Sequence, residues 1–149
     1  MADDRAPAPA PRPRSVLPPV LHDQPIRARG RDLVRVADLD ESGVAEVRTD
    51  DHGVLAVGIR PDGTPFAVGN TCRHQLAKLG RGRVTENGCL QCPWHRAEFD
   101  VTDGSMVSGP KGVIFGFPPY SAVVAAVGRA VPLTTAQVEI VDGVIRLAH

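Results

Sequence analysis

Apolar residues along this chain come in short runs, each broken by glycine, proline or an Asp-Gly pair. Residues 33–36 alternate weakly, residues 44–47 and Val54–Ile59 are rich in β-branched side chains, and residues 66–68 form a further apolar run. Runs of this length and composition predict strands rather than helices. Asp62-Gly63, Asp103-Gly104 and Asp142-Gly143 are hairpin signals between such runs, because both residue types tolerate the positive φ that tight turns demand. The last is flanked by Val138–Val141 and Val144–Leu147, which predicts a closing hairpin. No long amphipathic pattern occurs before residue 120. The pattern predicts an all-β fold.

Two stretches depart from it. Residues 2–19 are dominated by Ala, Pro and Arg, with Pro7, Pro9, Pro11, Pro13, Pro18 and Pro19. Without apolar periodicity such a segment cannot offset its ordering entropy by burial. Residues 1–30 are therefore expected to be a disordered or extended arm, and residues 31–149 a single domain, which suits a chain of 149 residues. The other stretch is residues 112–136, where Phe115, Phe117, Pro118, Pro119 and Tyr120 precede Ser121 and an Ala/Val run. A short helix capped by Ser121 and a pair of edge strands both fit.

Composition narrows the setting. No uninterrupted apolar segment suits a signal peptide, and none approaches membrane-spanning length. The chain is expected to be soluble and cytoplasmic, with neither nucleic acid nor membrane as a partner. Net charge is zero but uneven. Residues 1–31 carry a net +3 and the remainder a net −3, yet within residues 72–96 Arg73, Lys78, Arg81, Arg83 and Arg96 face only Glu86. That segment reads either as a solvated arginine-rich loop or as a docking face for acidic partners.

Candidate chemistry is concentrated in the same segment. Cys72-Arg73-His74 and Cys92-Pro93-Trp94-His95 each offer one thiolate and one imidazole, separated by the seventeen residues 75–91. A tetrahedral Cys₂His₂ zinc site uses the same ligand types. Zinc fingers, however, pair two cysteines and two histidines, whereas here each loop is mixed. The pattern C-x-H…C-P-x-H is the ligand set of a Rieske 2Fe–2S centre. There, thiolates favour one ferric iron, and neutral imidazoles make the other easier to reduce. Cys89, the third cysteine, is expected to fill a small apolar site on a short strand at residues 88–91. His22, His52 and His149 lie outside any ligand spacing.

Residues 70–111 resemble the Rieske family beyond these four positions. Asn70-Thr71 precedes the first loop, Leu79-Gly80 follows it, Phe99-Asp100 and Asp103-Gly104 follow the second, and Ser108-Gly109-Pro110 stands where the family has a covering proline loop. The resemblance implies an antiparallel β-sandwich with one 2Fe–2S cluster held by two loops at one end. It implies Cys72 and Cys92 as ligands of the inner iron and His74 and His95 of the outer, redox-active one. Trp94 would shield the cluster from water. Leu76 and Arg96 stand where the family commonly has glycines. Ala77 and Trp94 replace the cysteines that brace respiratory members with a disulfide, and Ala97 replaces a serine that donates to a bridging sulfide. The resemblance therefore points to the ferredoxin and oxygenase-associated branch. Fewer donors to the sulfurs imply a potential low in the Rieske range, roughly −150 mV to about zero.

The function so implied is one-electron carriage between a reductase and an oxygenase or oxidase. The alternatives are a non-catalytic Rieske subunit or accessory of a multicomponent oxygenase, and a redox sensor. Oxygenase catalysis needs a second iron in a 2-His-1-carboxylate triad. The remaining histidines show no such arrangement, so catalysis by this chain alone is not expected.

Overall fold

The structure is a computed structural model that describes residues 24–72, 77–93, 96–108 and 131–149. Strand β1 (Ile26–Arg27) is followed by β2 (Asp32–Arg35), a 3-10 turn at Val36–Asp38, β3 (Val44–Arg48), β4 (Val54–Ile59) and β5 (Pro65–Gly69). A second 3-10 turn at Leu79–Arg81 leads to β6 (Arg83–Val84), β7 (Leu90–Gln91), β8 (Glu98–Phe99) and β9 (Met106–Ser108). The chain closes with β10 (Thr135–Ala136), β11 (Val138–Val141) and β12 (Val144–Leu147). The described residues thus form the expected all-β architecture. None of their helices is long and apolar enough to cross a membrane.

Three sheets result, ordered β1-β3-β4-β5-β10, β11-β12-β2 and β6-β7-β8-β9. The first is the centre of the molecule because both its faces are covered. On one face Val47, Leu55, Val57 and Ala67 pack with Leu33, Val34 and Ile145 of the three-stranded sheet. On the other, Val44, Ala56, Phe66 and Val68 pack with Leu79, Leu90, Phe99, Met106 and both loop cysteines. This explains the unbroken apolar run of β4, since a strand buried on both faces need not alternate. Each fully buried Leu or Phe contributes about 2–3 kcal/mol through loss of water-exposed apolar surface.

The three Asp-Gly turns fall between β4 and β5, β8 and β9, and β11 and β12. At the last, Asp142 and Gly143 both take positive φ, 52° and 75°, the two-residue hairpin geometry that matches strand twist.

The pairings are antiparallel except for β1, which runs parallel to β3 with Ile26 opposite Val47. Ala28 N–H adds a bond to the Arg48 carbonyl at 2.9 Å. The end of the expected arm is therefore backbone-bonded to the central sheet, because the edge of β3 offers unpaired donors and acceptors. Residues 1–23 of that arm lie outside the described residues. So do Gly109, Pro110 and residues 112–130, which include the expected proline loop and the Ser121 segment.

Candidate metal centre

Two loops project from neighbouring sheets, and their described parts have the same construction. The first leaves β5 and returns into the turn at Leu79–Arg81; the second connects β7 to β8. At the base of the first, Thr71 pairs with Lys78, and Cys72 N–H donates to the Ala77 carbonyl at 2.7 Å. At the base of the second, Gln91 pairs with Glu98, and Cys92 N–H donates to the Ala97 carbonyl at 2.8 Å. In both, a cysteine is followed five positions later by a buried alanine that closes the loop. Four residues lie between them in each case.

Cys72 and Cys92 are buried and belong to one apolar cluster with Leu79, Leu90 and Phe99. The structure thus brings together the two cysteines selected from sequence. His74 and His95 lie outside the described residues, as do Arg73, Leu76 and Trp94. Arg96 is described. Its φ of 57° is the left-handed backbone that glycine adopts without strain, so the loop keeps the conformation while carrying a side chain. Cys89 sits at the base of the second loop but is half-buried rather than buried. Its burial pushes the thiol pKa up, with Glu98 and Asp100 adding to the rise and Arg60 opposing it. A thiol held neutral is a poor ligand and nucleophile.

A polar brace lies under the first loop. Glu46 on β3 shares a sheet face with Val44, and its Oε1 accepts from Asn70 Nδ2 at 2.8 Å. Asn70 Oδ1 accepts from Gly80 N–H at 2.7 Å, and the Asn70 carbonyl accepts from Leu79 N–H at 2.7 Å. Arg81 Nε donates to Glu46 Oε2 at 3.0 Å. A Cβ on Gly80 would collide with Glu46 and Asn70, and one on Gly82 with the Gln91 carbonyl. These two glycines let the turn press against both the brace and the lead-in to the second loop. Sequence reading isolated Asn70 and Gly80 only through resemblance, and missed Glu46.

Lys78, Arg81, Arg83 and Arg96 are exposed. Arg81, Arg83, Pro93 and Arg96 line a groove of about 690 Å³ beside Cys92, with Glu41 as its acidic member. The basic segment seen in the sequence is thus an actual surface, although the Arg81 charge is partly balanced by Glu46.

The donor set fits a 2Fe–2S cluster of Rieske type. Two thiols sit at equivalent points of matched loops in an apolar wall, and that wall excludes the water that would hydrolyse iron–sulfur bonds. Comparison with known proteins agrees. The alkene monooxygenase ferredoxin component of Xanthobacter autotrophicus is 30% identical over 87 residues, covering 58% of this chain and 70% of that protein. The oxygenase component of dicamba O-demethylase from Stenotrophomonas maltophilia is 43% identical over 58 residues, covering 39% of this chain but only 16% of that protein. The Sphingomonas yanoikuyae B1 ferredoxin structure superposes with a TM-score of 0.57 at 24% identity, covering 81% of this chain and 99% of that one. Residues 31–118 match the Rieske 2Fe-2S domain, and the chain belongs to that family.

Proposed function

We propose that this chain is a one-electron carrier that passes electrons from a reductase to an oxygenase or oxidase component. The observation carrying the reading is the pair of matched loops, each presenting one buried cysteine from a common apolar wall. Cys72 and Cys92 hold the inner iron, and His74 and His95 the outer one. The bound cluster would supply a single electron-accepting level, on the histidine-ligated iron. The chain's own residues bind it, keep water from its inner side through Leu79, Leu90 and Phe99, and present its histidine edge to a partner. The match to a ferredoxin over 70% of that protein's length supports a carrier. The match to an oxygenase component covers only a small part of that protein.

The exposed Lys78, Arg83 and Arg96, with Arg81, form the docking face for acidic partner surfaces. Such contacts act mainly on association rate and weaken as salt shortens the Debye length to roughly 10 Å or below. The carrier works as a soluble, cytoplasmic protein whose domain takes in β1 as well as residues 31–149.

The decisive experiment is metal and sulfide analysis of the purified protein, followed by potentiometric titration. The expected result is a reddish-brown protein with iron and acid-labile sulfide in equal amounts and a potential of roughly −150 mV to about zero. Stoichiometric zinc in a colourless protein overturns the cluster. Substrate oxidation by the isolated chain overturns the carrier.

A further inference from the structure

Among the described residues, Glu46 is the one buried carboxylate, and it lies beneath the first cysteine loop. It lies on β3, 24 residues before Asn70 and 35 before Arg81, yet it bonds to both. Its side chain is 8% exposed, while that of Arg81 is 39% exposed. Through Asn70 it reaches the residue two positions before Cys72, and through Arg81 it reaches the turn packed against Gln91, one position before Cys92. A single acidic side chain of the central sheet therefore connects the roots of both cysteine loops.

A carboxylate is not needed there for packing. A buried ion pair contributes little net stability compared with an apolar replacement of the same shape. What a carboxylate does, and a leucine would not, is accept from two different donors at once and fix the Arg81 guanidinium beside the groove that Cys92 and Pro93 line. We propose that Glu46 is a positioning residue for the cluster. It sets how the two cysteine loops stand to one another and how much of the Arg81 charge the cluster senses. The inference rests on the cluster assignment above.

Two charge-neutralising substitutions of similar shape test it in the full-length holo-protein: Glu46→Gln and Arg81→Gln. Asp32→Asn serves as the control, because the Asp32–Arg146 pair of 3.5 Å lies on the three-stranded sheet away from the loops. Glu46→Gln leaves an acceptor for Asn70 but turns an amide donor toward Arg81, and it removes one negative charge from beside that cation. The reduction potential is expected to rise, because the added electron then meets more positive charge. Arg81→Gln is expected to lower it. Both are expected to hasten cluster loss to a chelator by about tenfold, the equivalent of a modest fraction of a broken buried pair. Asp32→Asn should leave potential and cluster lifetime as in the wild type.

Potentials and cluster lifetimes that stay at wild-type values in both variants, with only thermal stability lowered, would reduce Glu46 to a structural group and overturn the proposal. Shifts of the same sign in both variants overturn it as well. If Glu46→Gln does not fold, Arg81→Gln alone decides, since its side chain is half-exposed. A wild-type protein without iron refutes the cluster assignment itself. Wild-type iron with insensitive variants refutes only the role of Glu46.

Discussion

The two cysteine loops are alike in length, closure and cysteine placement, yet they are rooted in different physics. The first grows from β5, which lies between β4 and β10 in the five-stranded sheet, and stands on the Glu46–Asn70–Arg81 brace. The second hangs from β7 and β8, strands of two residues each, and is held by Leu90 and Phe99 in the apolar cluster. Both roots share the apolar cluster through Leu79, Leu90 and Phe99, but the first adds a polar, directional tie to the core sheet. Hydrogen-bonded roots fix orientation, because each bond weakens steeply with angle. Apolar roots fix depth of burial but tolerate small rotations. A site for a two-iron group gains from this asymmetry, since one wall sets the frame and the other closes on it.

The largest expected effect tests the likeness rather than the difference. Cys72→Ala and Cys92→Ala, and likewise His74→Ala and His95→Ala, should each abolish the cluster's visible absorbance and its bound iron. Cys89→Ser should retain both. A cluster that survives loss of Cys92 but not of Cys72 would show that the second loop is not the counterpart of the first.

Next come the roots. Leu90→Ala removes a fully buried side chain and should cost about 2–5 kcal/mol of global stability in denaturant unfolding. Asn70→Ala leaves the Gly80 N–H and a Glu46 oxygen without this partner, and should cost about 1–3 kcal/mol. The pattern sharpens the contrast. Asn70→Ala should shorten cluster lifetime more than its stability loss predicts, whereas Leu90→Ala should lower both in proportion. Equal behaviour would mean that the polar root is only another packing contact.

Much of this was legible in the chain itself. The β4 run, the Asp142-Gly143 hairpin and the two cysteine loops follow from local pattern, because each states its conformation within a few residues. The strands β6, β8 and β10 do not, since two residues carry no period. β1 escaped for another reason: Ile26 is 40% exposed, and the strand is held by backbone pairing, which any side chain permits. Glu46 reads in sequence as a solvent-facing polar residue of a half-exposed strand. Its true surroundings come from Asn70, Gly80 and Arg81, all distant in the chain, and only the fold brings them together. His74 and His95, the proposed ligands of the outer iron, were named from spacing and lie outside the described residues.

A smaller effect concerns the backbone of the second loop. Arg96 holds φ at 57°, which costs a residue with a Cβ about 1–2 kcal/mol. Glycine at this position would relieve that strain at some loss of unfolded-state restriction. Arg96→Gly should therefore stabilise the fold by roughly 0.5–1 kcal/mol, read from urea unfolding, while slowing docking through the lost charge. Destabilisation instead would mean that the Arg96 side chain makes a contact worth more than the strain.

The smallest effect concerns the third cysteine at the root of the second loop. Cys89 is bonded through its backbone to Thr85, with Thr85 N–H to the Cys89 carbonyl at 2.8 Å and Cys89 N–H to Thr85 Oγ1 at 3.2 Å. Its pKa is raised from 9.0, first by burial and then by Glu98 and Asp100. A folded-state pKa above the unfolded one means that the folded chain holds its proton longer. The stability this contributes is fully present below pH 9.0, and it is lost as pH rises through the folded value. In Cys89→Ala this component is absent, so the variant's stability should fall less steeply between pH 9 and the folded pKa than the wild type's. Because the thiol is partly exposed, solvent screening keeps the difference small. Parallel pH profiles for the two proteins would show that Cys89 ionises as it does in the unfolded chain, and that the second loop's root is open to water at that point.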